Sequence, residues 1–143
     1  MKTLFFGAGP LGSVYVHLLY KNGEDVTILA RGERYAWLQE NGLVLLNEIT
    51  GQRDWSRIKV VNELKPEDEY ALVIVLIRKN KLLPVFEILA ERPGVNNILV
   101  MGNNALGFEE YWFYAFGVFL QGSGCLLCKS LPGNRGGEKC MLL

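Results

Sequence analysis

A glycine-rich turn directly after a short apolar segment constrains the fold more than any other feature of this chain. Residues 2–6 predict a β-strand, and Gly7, Gly9 and Gly12 follow it with the spacing G-x-G-x-x-G. Helical apolar spacing comes next, and the β-branched segment at residues 26–30 predicts a second strand. Strand, glycine turn, helix and strand within about 30 residues predict a mononucleotide-binding unit.

Each glycine has its own role in such a turn. Gly7 lets the backbone leave the strand sharply, Gly9 lets a pyrophosphate approach the main chain, and Gly12 lets the helix pack against the strand. The first helical amides have no partner inside the helix and can point at a phosphate. The alternative is a tight turn that binds no ligand. The residues predicted to contact the pyrophosphate are Gly7, Ala8, Gly9, Pro10, Leu11 and Gly12.

The predicted first helix carries an apolar face and the only histidine of the chain. We interpret His17 as a surface or packed side chain rather than as a ligand. The apolar residues at helical spacing are Leu11, Val14, Tyr15, Leu18 and Leu19.

Strands and helices alternate along the rest of residues 1–111. Residues 33–40 predict a helix, and residues 43–46 and 57–61 predict two strands of a hairpin around a polar stretch. Residues 71–77 are all apolar, which is typical of a central strand buried on both faces. A crossover helix at 82–91 and a buried strand at 98–101 complete the pattern. This order predicts an α/β fold, a Rossmann-like doubly wound parallel sheet in a single domain.

The end of the second strand indicates which dinucleotide would bind. A carboxylate about 20 residues past the glycines binds the ribose hydroxyls in NAD-binding domains. Arg31 stands there instead, and a guanidinium pairs bidentately with a 2′-phosphate. We therefore favour NADP(H) over NAD(H), with Arg34 as a second phosphate ligand. The alternative for Arg31 is a solvated charge, and Glu33 is assigned to the next helix.

Two further strand ends should face the same crevice. Arg78 and Lys79 could contact cofactor phosphates or an anionic substrate, or simply face water. Asn103 could donate to a ribose or a substrate group, or could serve only as a tight polar turn with Asn104.

These segments together resemble the N-terminal NADP-binding domain of the ketopantoate reductase (2-dehydropantoate 2-reductase) family. The matching residues are 6–12, 26–32, 73–80 and 98–104, and the resemblance covers about residues 1–111. It implies hydride transfer from NADPH to a 2-oxo acid, ketopantoate or similar, giving a 2-hydroxy acid. It also implies that the glycines hold the pyrophosphate, Arg31 the 2′-phosphate, and that Asn103 lies near the nicotinamide ribose.

The chain departs from the family pattern at three places. A family lysine aligns near Ile77, the family asparagine is usually followed by glycine, and family members are about twice as long. Their second, helical domain supplies the catalytic lysine, so no catalytic residue is assigned here and activity of the chain alone stays open. The alternative is a nucleotide-binding or regulatory module without catalysis, or a vestigial protein that binds nothing.

Composition sets further limits. The formal net charge is zero, which argues against a nucleic-acid partner. No stretch resembles a membrane span or a signal peptide, so we expect a cytoplasmic protein. Cys125 and Cys128 have C-x-x-C spacing without the context of a metal or redox site, and we assign them neither role.

Residues 112–143 differ in character and form an atypical tail, truncated or divergent, with one more strand expected near residues 118–120. Exposed apolar surface usually finds a partner, so we expect a homodimer through the tail. The aromatic residues expected to form that surface are Trp112, Phe113, Phe116 and Phe119.

Overall fold

The computed structural model describes residues 1–95 and 97–101, together with the backbone of 125–128. Seven strands, three α-helices and one short 3-10 helix fall in the first two ranges. In chain order the elements are β1 (Thr3–Phe6), α1 (Pro10–Lys21), β2 (Val26–Leu29), α2 (Gly32–Asn41), β3 (Leu43–Leu46), β4 (Arg53–Ser56), β5 (Lys59–Val61), β6 (Leu72–Val75), the 3-10 helix (Lys79–Lys81), α3 (Leu82–Ala90), β7 (Ile98–Met101) and β8 (Cys125–Cys128).

The main sheet has six strands in the order β5-β2-β1-β6-β7-β8. The neighbours from β5 to β7 are parallel, and β8 is antiparallel to β7. The chain moves outward from β1 to β2 and β5, then restarts beside β1 with β6 and moves outward on the other side. The predicted Rossmann-like α/β fold is confirmed, and the reversal between β1 and β6 opens a crevice at the carboxyl ends of those strands.

The core lies in two layers, one on each face of the sheet. On one face α3 packs Leu82, Phe86 and Leu89 against β1, β6 and β7. On the other face Val16 of α1 and Leu38 of α2 pack against the sheet. The four residues of β1 and of β2 are all buried, because side chains alternate between two covered faces.

Helix α1 is confirmed, but most of its predicted apolar face does not pack on the sheet. Leu11 is 56% exposed and Leu18 is 51% exposed, while Val14 and Tyr15 are also exposed. The buried positions are Gly12, Ser13, Val16 and His17. The close contact that Gly12 makes with the glycine turn fixes the rotation of the helix. That rotation leaves Leu11 and Leu18 exposed, while Leu19 is half-buried against the core.

His17 is packed, one of the two alternatives considered for it. Its Nδ1 lies 2.7 Å from the hydroxyl oxygen of Ser56, and both residues are buried. This contact joins α1 to the strand β4.

The hairpin prediction was wrong about the second strand. β3 pairs with β4, and Leu43 lies opposite Ser56 and Leu46 opposite Arg53. β4 lies inside the polar stretch that was predicted to connect the two strands. The Asn47 side-chain oxygen accepts hydrogen bonds from the Ile49 and Thr50 amides and so stabilises the turn between β3 and β4. Lys59–Val61 instead joins the main sheet beside β2, because Ile58 and Val60 are buried in its core.

The segment assigned to the tail contributes a strand to the main sheet. Cys125 pairs with Met101 and Cys128 with Ile98. The strand expected near residues 118–120, and the four aromatic residues expected to form a dimer surface, lie outside the described residues. Among the described helices, none has the length and apolar character needed to cross a bilayer.

Candidate nucleotide-binding site

A cavity of about 460 Å³ opens at the carboxyl ends of β1, β2 and β6. It extends from the glycine turn to the first turns of α3, across the point where the strand order reverses. Its lining residues are Phe6, Gly7, Ala8, Leu29, Ala30, Arg31, Arg34, Ile77, Asn80, Lys81, Pro84, Val85 and Ile88.

The three glycines of the turn have different environments. Gly7 has φ +127°, and a Cβ there would lie 2.5 Å from the carbonyl oxygen of Leu76. A Cβ on Gly12 would lie 2.6 Å from the carbonyl oxygen of Gly7. Gly9 has φ −74°, and a Cβ there would meet no atom within 4 Å. Packing of the protein itself therefore requires glycine at positions 7 and 12 but not at position 9.

The open space beside Gly9 would let a ligand approach the main chain closely. Gly9 is the N-cap residue of α1, no side chain caps this helix end, and Pro10 begins the helix. The first amides of α1 therefore remain available to an anion. A pyrophosphate at this position would use both the space and the amides.

Arg31 lies at the rim of the cavity, two residues after the end of β2 and at the N-cap of α2. It is exposed, and its guanidinium carbon is 5.7 Å from the ring centroid of Phe6, which is buried at the end of β1. The side chain thus folds back over the cavity rather than away from it. Among the described lining residues there are three cations, Arg31, Arg34 and Lys81, and no carboxylate.

Arg34 also lines the cavity, but two of its guanidinium N–H groups already donate hydrogen bonds within the protein. Nε donates to the carbonyl oxygen of Ala8 at 3.3 Å, and Nη2 donates to the Ser13 hydroxyl oxygen at 3.2 Å. Its guanidinium carbon lies 5.1 Å from the ring centroid of Trp37.

The structure brings only some of the expected residues together. Arg78 is exposed and does not line the cavity. The side chain of Lys79, and all of Asn103, lie outside the described residues.

Sequence reasoning missed one wall of the cavity. Lys81 and Asn80 line it in place of Arg78, because the 3-10 helix turns the chain between β6 and α3. An apolar surface beside them is formed by Ile77, Pro84, Val85 and Ile88. The spacing of Pro84 and Ile88 by one helical turn was the available signal for this surface.

Fold and cavity together define a Rossmann-type domain with a nucleotide-sized crevice at its switch point. Residues 3–123 match the family model of ketopantoate reductase PanE/ApbA. The chain belongs to this family. The match extends past residue 111, where the resemblance was expected to end.

Individual relatives agree with this assignment. The chain is 26% identical over 124 residues to a 2-dehydropantoate 2-reductase of Mesorhizobium japonicum, covering 86% of this chain and 37% of the relative. A solved structure assigned as a ketopantoate reductase from Ralstonia solanacearum MolK2 is 27% identical with a TM-score of 0.59, covering 69% of this chain and 30% of that chain. The chain thus spans about a third of the length of these relatives.

A third comparison concerns the fold alone. A D-mandelate dehydrogenase, solved with NADH and anilino(oxo)acetate, is 24% identical with a TM-score of 0.62. The similarity covers 77% of this chain and 36% of that chain.

Proposed function

We propose that this chain is the NADP(H)-binding part of an oxidoreductase that reduces a 2-oxo acid, ketopantoate or similar, to a 2-hydroxy acid. The observation that carries the proposal is the position of Arg31. It lies over the cavity at the strand end where an NAD-binding domain would place a carboxylate. Family membership and the open space beside Gly9 support the same proposal.

Different residues at the cavity would bind different parts of the cofactor. The turn and the first amides of α1 would hold the pyrophosphate, and Arg31 would pair with the 2′-phosphate. Ile77, Pro84, Val85 and Ile88 offer the flat base an apolar surface. Lys81 adds positive charge at the same end. Bound NADPH would supply the hydride.

We assign the described residues to binding and orientation of the cofactor, and we assign none of them as a proton donor. Reduction of a ketone needs a proton for the nascent alkoxide. We therefore propose that this proton comes from outside the described residues, as from the second, helical domain that the family resemblance implies. We also propose a cytoplasmic protein and a homodimer that forms through the tail of residues 112–143. A monomer in light scattering at micromolar concentration would contradict the dimer.

Calorimetric titration with NADPH and NADH tests the cofactor assignment. We expect the wild-type chain to bind NADPH at least tenfold more tightly than NADH, since hydrogen bonds to a charged group contribute roughly 1.5–3 kcal/mol. Arg31→Ala should remove this preference without changing NADH affinity.

The matched control is Arg57→Ala, an exposed arginine just before β5, at the amino ends of the parallel strands and away from the cavity at their carboxyl ends. It removes the same charge and should leave both affinities unchanged. Equal binding of the two nucleotides by the wild-type chain would refute the NADP assignment, and binding of neither would refute the proposed function.

A further inference from the structure

Arg34 connects α2 to the glycine turn and to the start of α1, which lie 26 and 21 residues earlier in the chain. It lies in the first turn of α2, and its two acceptors lie on either side of the start of α1. The Ala8 carbonyl belongs to the glycine turn before the helix, and the buried Ser13 belongs to the first turn of the helix itself. One half-buried guanidinium therefore spans the bend that the pyrophosphate would meet.

The Ala8 carbonyl has a direct relation to the phosphate-binding amides. In a planar trans peptide the carbonyl and the following N–H point in opposite directions. Holding the Ala8 carbonyl toward α2 therefore directs the Gly9 N–H the other way. Glycine accommodates both orientations of a peptide, so Gly9 does not by itself prevent this unit from turning over. A reversed peptide would present an oxygen, instead of an N–H, to an anion.

Three contacts of Arg34 allow it to hold the Ala8–Gly9 peptide in one orientation. Two of its N–H groups are used, on Ala8 and on Ser13, in the fixed fork geometry of a guanidinium. Trp37, one helical turn along α2, lies 5.1 Å from the guanidinium carbon and supports its position. In addition, the Ser13 amide donates to the Gly9 carbonyl at 2.9 Å, so the clamp continues into the first helical bond of α1.

We infer that Arg34 is a positioning residue, which holds the Ala8–Gly9 peptide and the start of α1 in the orientation that binds pyrophosphate. This assignment rests on the proposed function and differs from a role for Arg34 as a second ligand of the 2′-phosphate. Pyrophosphate is common to NADPH and NADH, whereas the 2′-phosphate is present only in NADPH. The two roles therefore predict different effects on the two affinities.

The binding test uses Arg34→Ala and Arg34→Lys in the full chain, titrated with NADPH and NADH by calorimetry. We expect Arg34→Ala to weaken both nucleotides by the same factor, about tenfold. Arg34→Lys should lose nearly as much, because an ammonium keeps the charge but not the fork. A loss confined to NADPH, an unchanged affinity, or full rescue by lysine would each overturn the inference.

Hydrogen–deuterium exchange without nucleotide separates positioning from a general effect on stability. In Arg34→Ala we expect faster exchange at the amides of residues 8, 9 and 11–13, and unchanged exchange in β1 and β2. Faster exchange throughout the strands, or no change at all, would overturn the inference. If the wild-type chain binds neither nucleotide, the proposed function fails, and the exchange comparison alone decides whether Arg34 orders the turn.

Discussion

Gly12 lies so close to Gly7 that a Cβ at position 12 would be 2.6 Å from the Gly7 carbonyl oxygen. Main-chain atoms cannot move aside as a flexible side chain can. We therefore expect Gly12→Ala to destabilise the fold by about 1–3 kcal/mol, the usual cost of overpacking. Denaturant unfolding measures this difference.

Gly9→Ala is the matched variant in the same turn. A methyl group there meets no atom within 4 Å, and the backbone already has a negative φ. We expect the free energy of unfolding to fall by less than about 1 kcal/mol, because the one cost is that alanine is less favourable than glycine at an N-cap position. NADPH binding should nevertheless fall sharply, because the methyl group would occupy the space proposed for the pyrophosphate. Retained binding in Gly9→Ala would contradict that placement.

The fold was predictable because its signals are local. A glycine turn after a strand, all-apolar central strands and Pro84 in the first turn of α3 each constrain one element, and parallel strands joined by helices admit few arrangements. The strand β4 escaped prediction because Arg53 and Asp54 make it polar, and only its pairing with β3 and the buried Ser56 show its place.

The site was predictable where it depends on the main chain and on strand ends. The glycine turn and Arg31 are of this kind. The Arg34 contacts could not be predicted, because Ala8, Ser13 and Arg34 come together only after α1 and α2 have packed. The orientation of α1 was also not predictable from its apolar spacing, since the close approach of Gly12 decides which face is buried.

Helix α1 provides a test of that orientation. Val16 is 0% exposed, whereas Leu18 on the apolar face is 51% exposed. We expect Val16→Ala to lower the free energy of unfolding by about 1–3 kcal/mol. Leu18→Ala should change it by less than about 0.5 kcal/mol, although leucine is the larger side chain. A larger loss in Leu18→Ala than in Val16→Ala would show that the leucine face is covered in solution.

The buried contact between His17 and Ser56 should stabilise the attachment of the β3–β4 hairpin to α1. Ser56→Ala leaves the Nδ1 of a buried imidazole without its hydroxyl partner. We expect a loss of about 1–3 kcal/mol in denaturant unfolding, the cost of an unsatisfied buried polar group. Glu48→Ala, in the exposed turn of the same hairpin, should cost less than about 0.5 kcal/mol. Equal losses in the two variants would indicate that the contact contributes nothing specific.

Tyr70 should make the stability of the protein depend on alkaline pH. Burial, and then the nearby Asp68 carboxylate, raise the pKa of the Tyr70 hydroxyl above its ordinary value of 10.0. The Thr27 hydroxyl opposes this shift, and the Asp25 carboxylate adds to the rise in pKa. The phenol is therefore kept neutral in the folded chain at pH values where it ionises in the unfolded chain.

The sign of the effect follows from proton binding. Above pH 10 the folded state binds more protons at this position than the unfolded state, so the free energy of unfolding falls as pH rises. For one proton the slope is at most about 1.4 kcal/mol per pH unit. Tyr70→Phe cannot ionise and should lose this part of the dependence. Lysines titrate in the same range, so the readout is the difference between wild type and variant in denaturant unfolding from pH 8 to about 11. As a control, Tyr20→Phe changes an exposed tyrosine and should give the same dependence of stability on pH as the wild type. If Tyr70→Phe also gave the wild-type dependence, Tyr70 would ionise equally in the folded and the unfolded state.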